Sequence, residues 1–343
     1  MNELDIIDII KNNVKYNNNN IVKSIGDDCA VVKLDNNNYL TITTDLMFKS
    51  SHFPNILTPF QIGHRVVTAN LSDIASMGAK PIGIVLSMGF NNVSKKYIEE
   101  LSKGINYSTN LYNCPLIGGD TNKSKELTLC GTAFGKVNNP LYRYNSNIGD
   151  KIVITNNVGK VYCAFKILEL INNNTNKSNK SNKSNKNYLL EKYGPIMEKL
   201  YNPIANIEVG IFLSNNKLAS SCCDISDGLG KELFYMGNFE INSKQIIKSM
   251  SKEVIEFCEE FNLNPVEVAL NSGEEWELLF TTNNYNKLND LNLKINNKNN
   301  KINKINKNIK FNKIGKIIED ENNNCYLDGE LFNKSKYGYI HKW

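Results

Sequence analysis

One segment limits the architecture more than any other. Thr58-Pro59-Phe60-Gln61 combines an N-cap threonine, a proline at the first helical position and a capping-box glutamine three residues after the cap. Gly78 suits the C′ position and Pro81 cannot continue a helix, so a helix is bounded at both ends and stops near Met77. On either side the pattern changes to period two. Tyr39-Leu-Thr-Ile-Thr-Thr-Asp45 alternates and is rich in β-branched residues, and Ile82–Met88 reads as a second strand. A helix near Ser94–Tyr112, a strand ending at Leu116-Ile117 and an alternating strand from Glu126 to Val137 follow. After the turn-like Asn138-Asn139-Pro140 and the loop before Gly149-Asp150, the second half restarts with a strand, Lys151–Thr155, and a helix from about Lys160 to Ile171. Strands and helices intermix in both halves. The expected class is α/β or α+β with mixed sheets, in two domains covering 1–145 and 146–343.

Charge separates the body of the chain from two biased tracts. Residues 172–187 and 294–310 hold ten lysines and no acid, which more than accounts for the formal charge of +5, so the rest is acidic. The first tract has too few apolar side chains to offset its ordering entropy and is expected as a disordered insertion; the second keeps isoleucines and is expected to be partly ordered. Basic runs of this kind are usually solvated loops, which argues against nucleic acid as a partner. No apolar stretch approaches the length of a membrane span, and the acidic, polar N-terminus is unlike a signal peptide. The eight cysteines are scattered, with no C-x-x-C pair, and are expected as reduced thiols in a cytoplasmic protein.

Five short motifs place carboxylates where elements stop: Gly26-Asp27-Asp28, Thr43-Thr44-Asp45, Asn70-Leu-Ser-Asp73, Gly118-Gly119-Asp120 and Asp224-Ile-Ser-Asp227-Gly228. Each alone reads first as an N-cap or turn residue. Asp73 differs, because the helix carries it in one stripe with Val66, Asn70 and Ile74, so it should point inward or into a cleft. An inward carboxylate is costly unless a cation or donor meets it. Many carboxylates with hydroxyls beside them, and three histidines in all, suit Mg²⁺ or Ca²⁺ rather than zinc or copper. Gly118-Gly119 permits close backbone approach to a phosphate, and Gly228 at a helix start suggests a further anion site. No Walker or H-R-D motif is present, so the two commonest phosphate-binding designs are excluded.

Taken in order, IGDDCAVV, TTDLMFKSSHF, TANLSDIASMGAKP, LIGGDT, YRYNSNIGD, DISDGLGKEL and SGEEWELLF resemble the thiamine-monophosphate kinases. These belong to a superfamily typified by aminoimidazole ribonucleotide synthetase. The resemblance implies a PurM-like fold: an N-terminal ATP-binding domain that forms a homodimer through its sheet, and a C-terminal domain that closes the cleft. It implies several Mg²⁺ ions with ATP as co-substrate and thiamine monophosphate as acceptor. Asp27, Thr43, Thr44, Asp45, Asp73, Asp120, Asp224 and Asp227 are the implied metal ligands. Gly119, Asp120, Arg143 and Ser226 are the implied ATP contacts, and His52, Glu274 and Tyr339 the implied acceptor contacts. No catalytic nucleophile or general base is expected, since a phosphate monoester is already ionised near neutral pH. The alternatives are another synthetase or kinase of the superfamily, of the selenophosphate or aminoimidazole ribonucleotide type, or a nucleotide-binding protein without turnover.

Overall fold

The structure is a computed structural model that describes residues 1–15, 18–175, 181–288 and 309–340. The first half runs α1 (Glu3–Asn13), β1 (Ile21–Lys23), β2 (Ala30–Lys33), β3 (Tyr39–Phe48), the single turn α2 (Lys49–His52), α3 (Pro59–Ser76), β4 (Lys80–Phe90), α4 (Lys95–Leu111), β5 (Leu116–Lys123) and β6 (Thr128–Val137). The second half runs β7 (Lys151–Thr155), α5 (Lys160–Thr175), α6 (Ser181–Lys192), α7 (Gly194–Tyr201), α8 (Ile207–Asn215), β8 (Ser221–Asp224), α9 (Leu229–Glu232), β9 (Phe239–Ile241), α10 (Ser243–Lys248), α11 (Lys252–Glu260), α12 (Pro265–Leu270), β10 (Leu278–Thr282), β11 (Phe311–Ile317), β12 (Tyr326–Leu327) and β13 (Glu330–Leu331).

Each half has its own sheet. The first is six-stranded in the order β1-β2-β3-β6-β4-β5, antiparallel except for the β4–β5 pair. The second is seven-stranded in the order β13-β12-β9-β11-β7-β10-β8, with β12 and β9 parallel. Mixed sheets in an α/β chain are what the alternating pattern predicts.

Helix α3 forms for the reasons visible in its sequence. The Thr58 hydroxyl accepts from the Gln61 amide at 3.3 Å, and the Gln61 side chain accepts from the Thr58 amide at 2.9 Å, a reciprocal cap. At the other end Gly78 takes φ +68°, the left-handed turn that releases the chain into β4. Between these caps the helix is enclosed almost all round, by α4, by β3 and β6 of the first sheet, and by α8 and β8 of the second half. The contact with α8 is close enough that a Cβ on Gly210 would stand 1.8 Å from the Ala75 carbonyl oxygen. Only a glycine fits there.

The lysine-rich tracts behave differently from the expectation in part. Residues 172–175 continue α5 and residues 181–187 open α6, so these parts are helical where an irregular loop was expected. Both helices are anchored by buried residues beyond the tract, Ile171 on one side and Leu189 on the other, from which helical backbone extends. Residues 176–180, and most of 294–310, lie outside the described residues.

Candidate active site

Three carboxylates from distant parts of the chain converge beside α3. Asp28 precedes β2, Asp73 lies on the last turns of α3, and Asp224 ends β8; each offers an oxygen within 4.8 Å of the others. Thr43 on β3 donates its hydroxyl to Asp73 at 2.5 Å, and Ser72 donates to Asp224 at 2.6 Å. Asp28 accepts from Arg143 Nε at 2.7 Å. Yet Asp28 Oδ2 and Asp224 Oδ1 are buried without any hydrogen-bond partner. Burial and the neighbouring carboxylates push the Asp73 and Asp224 carboxyls well above the ordinary range, although Asp73 is itself only partly buried. Asp45, on the same face of β3 as Thr43, is pushed up to about 6 by burial and by the charges of Asp227 and Asp28. Negative groups held this close, with oxygens left unpaired, are stable only if protonated or bridged by a cation. An all-oxygen donor set with orphaned carboxylate oxygens fits a hard divalent ion such as Mg²⁺.

Asp28 is the residue that the sequence reading missed by one position. Asp27 instead receives the Arg143 backbone amide at 3.3 Å and lies 3.4 Å from Lys23 Nζ; burial and the adjacent Asp28 raise its carboxyl to about 6. Two aspartates in succession give no signal in the residues themselves as to which faces the helix. Glu232 was missed as well. One of its oxygens accepts from the Asp227 amide at 3.2 Å and the Ser226 hydroxyl at 3.4 Å, and the other is buried without a partner. Burial pushes its carboxyl up to about 8 against the opposing charge of Arg143. This corrects the expectation of an anion site at Gly228. The helix it opens, α9, has four residues, and the neighbouring Asp227 amide is already bound to the Glu232 carboxylate.

Two expected ligands stand apart from this cluster. The Thr44 hydroxyl lies on the opposite face of β3 from Thr43 and donates to the Gly131 carbonyl at 2.8 Å, because successive strand residues alternate sides. Asp120 is exposed on the edge strand β5, opposite Ser87 of β4. Gly119 has a reason internal to the sheet, since a Cβ there would stand 2.0 Å from the Leu86 carbonyl oxygen. Arg143 points back into the protein, paired with Asp28 and stacked 4.4 Å from the Tyr235 ring centroid.

The remaining expected residues share one cavity of about 520 Å³. Asp45, His52, Ser226, Asp227, Glu274 and Tyr339 all line it, together with Met47, Tyr162, Phe165 and Trp276. His52 Nδ1 lies 2.7 Å from the Ser51 hydroxyl and accepts from the Phe48 amide at 3.2 Å. The Tyr339 amide donates to the Asp227 carbonyl at 2.9 Å, and the Glu274 amide to the Ser226 carbonyl at 2.6 Å. The Glu274 carboxylate does not face the cavity unpaired, because the buried Arg65 guanidinium meets it.

Comparison with known proteins gives the family and the fold. Residues 26–137 match the family described as AIR synthase related protein, N-terminal domain. A thiamine-monophosphate kinase from Methanocaldococcus jannaschii is 49% identical over 345 residues, covering 100% of each chain. The chain belongs to the thiamine-monophosphate kinase family. A kinase of this family from Pyrococcus abyssi is 34% identical over 259 residues, covering 75% of this chain and 76% of that one. Among solved structures, "AaThiL complexed with AMPPCP and TMP" superposes with a TM-score of 0.80 at 23% identity, covering 99% of this chain and 97% of that one. Thiamine monophosphate kinase from Aquifex aeolicus gives 0.74 at 22% identity, with 96% and 98% covered. These two superpositions establish the shared fold.

Proposed function

We propose that the chain transfers the γ-phosphoryl group of ATP to thiamine monophosphate, giving thiamine diphosphate and ADP. The observation that carries this reading is the convergence of Asp28, Asp73 and Asp224, two with orphaned buried oxygens, near a cavity large enough for the acceptor. We assign Mg²⁺ binding to these three with Asp45 and Asp227, and assign Asp27 and Thr43 supporting positions around them; Thr44, on the opposite face of β3, takes no part. Mg²⁺ held there would supply charge that neutralises the reacting phosphates. The chain's own residues position the reactants. An oxygen of the acceptor phosphate attacks the γ-phosphorus in line, and the bond from that phosphorus to the bridging oxygen of ADP breaks. The attacking oxygen is already ionised, so no residue need remove a proton from it, and we assign no general base or nucleophile.

Gly119, Asp120, Arg143 and Ser226 are taken as the ATP side of the site, and His52, Glu274 and Tyr339 as the acceptor side. For the acceptor this is supported by the shared cavity. Residues 1–145 and 146–343 are taken as the two domains, a division supported by the separation of the two sheets. A homodimer through the first sheet is supported by its face turned away from α3, where Thr44 and Leu46 are exposed. A cytoplasmic location is supported by eight free cysteines. Among the described residues no helix is long and apolar enough to cross a membrane.

The test is release of ADP with thiamine monophosphate, thiamine and an aminoimidazole ribonucleotide precursor offered separately. Turnover with thiamine monophosphate alone supports the reading. Turnover only with another acceptor, or ATP binding without ADP release, defeats it.

A further inference from the structure

Arg65 has a position that neither metal binding nor phosphoryl transfer accounts for. It lies on α3, two turns before Asp73, and its side chain is 1% exposed. Its guanidinium meets the Glu274 carboxylate and stacks over the Trp276 ring, with Cζ 4.8 Å from the ring centroid. Both partners belong to the second half of the chain and both line the cavity. Arg65 Nε is buried without a partner, so the side chain is not placed there to complete its own hydrogen bonding.

Its two partners sit in an uncommon backbone. Glu274 has φ +53° and Trp276 φ +48°, left-handed conformations that non-glycine residues rarely adopt. The Glu274 amide is held by the Ser226 carbonyl at 2.6 Å and the Trp276 amide by the Ile225 carbonyl at 3.0 Å. Such conformations persist where the surroundings over-determine them, and they gather at ligand sites. The backbone bonds fix the turn, and Arg65 holds the two side chains that project from it.

We propose that Arg65 is a positioning residue for the acceptor: it orients the Glu274 carboxylate and the Trp276 ring toward a cationic heterocycle, linking that recognition to the helix that carries Asp73. The proposal rests on the acceptor reading of the cavity. A planar fork and stacking surface are what the position requires, and lysine supplies neither.

The test uses the full chain with Trp343→Phe, which leaves Trp276 as the sole tryptophan of the two in the sequence. Arg65→Lys and Arg65→Met are compared for the Michaelis constants of both substrates. Binding of thiamine monophosphate without ATP is followed by Trp276 fluorescence. Arg65→Lys should raise the Michaelis constant for thiamine monophosphate by about tenfold and leave that for ATP within about twofold, with a matching loss in the fluorescence titration. If Arg65→Met does not fold, Arg65→Met with Glu274→Gln removes both charges together, and its acceptor affinity should fall by less than the product of the Arg65→Lys and Glu274→Gln losses. Equal shifts for both substrates, or no shift, would overturn the proposal as they would mark a purely structural ion pair. A parent protein that shows no binding of thiamine monophosphate would overturn the acceptor reading itself.

Discussion

The carboxylate cluster and the end of the cavity proposed to take the acceptor handle buried charge in opposite ways. At the cluster, Asp28, Asp73 and Asp224 crowd together with few donors, and two oxygens have no partner. At the acceptor end, the carboxylate of Glu274 is matched within the protein by Arg65, and His52 is held by Ser51 and the Phe48 amide. The first region is unfavourable until something from solution completes it. The second is organised before any ligand arrives. Binding at the cluster should therefore be tied to protons and to overall stability, whereas binding at the acceptor end should depend on shape.

The largest expected effect breaks the cluster. Asp73→Asn and Asp224→Asn should each lower turnover at saturating Mg²⁺ by about a thousandfold or more, equivalent to about 4 kcal/mol of transition-state stabilisation. The same variants should melt at a higher temperature than the parent in EDTA, because a buried negative charge has been removed. ADP release and thermal melting check the two halves of the statement, and near-parental turnover would remove these residues from the metal site. Asp120→Asn sharpens the contrast: exposed on β5, it should lose activity without changing the melting temperature in EDTA.

Proton linkage gives the next effect. Asp45 rises from 3.8 to about 6 and Glu232 from 4.5 to about 8, both through burial. Groups raised in the folded state contribute stability below their ordinary values and lose it as pH climbs through the folded ones. The metal-free protein should accordingly melt at progressively lower temperature from about pH 4 to pH 8, and Mg²⁺ should flatten that slope by favouring the ionised forms. A melting temperature independent of pH in EDTA would contradict the cluster as described.

At the acceptor end, Glu274→Gln should raise the Michaelis constant for thiamine monophosphate several-fold while calorimetry shows ATP affinity unchanged. It should also cost about 2 kcal/mol of stability, since Arg65 keeps a neutral acceptor in place of a charged one. Collapse of ATP binding would put Glu274 on the donor side. The smallest effect belongs to the lysine tract: replacing residues 174–185 with a short Gly/Ser linker should leave turnover within about twofold, because loop closure depends only weakly on length.

Much of this was legible from residue order. The caps of α3, its inward Asp73 and the alternation of β3 follow from spacing alone, and the motif set pointed to the family. What was not legible has physical causes. Asp27 and Asp28 are chemically identical neighbours, and only the path of the chain before β2 turns one toward Asp73. Thr44 repeats Thr43 in type but faces the other side of the sheet. Glu232 ends a short helix, where an acid ordinarily faces solvent, and the Ser226–Asp227 turn draws it inside. Arg65 lies on a helix enclosed on nearly all sides, and its partners Glu274 and Trp276 stand about 200 residues further along the chain.

That enclosure of α3 bears on how the protein could be divided. The stretch between β6 and β7 separates two sheets cleanly along the chain, yet the helix at the centre of the first half is walled in by segments of the second. Cut there, the N-terminal piece would present to water the apolar flank that meets Gly210 and the buried Arg65 without its counter-charge. The two halves are separate as topology and joint as a cooperative unit, and the amides of α3 should be among the last in the chain to exchange with deuterium.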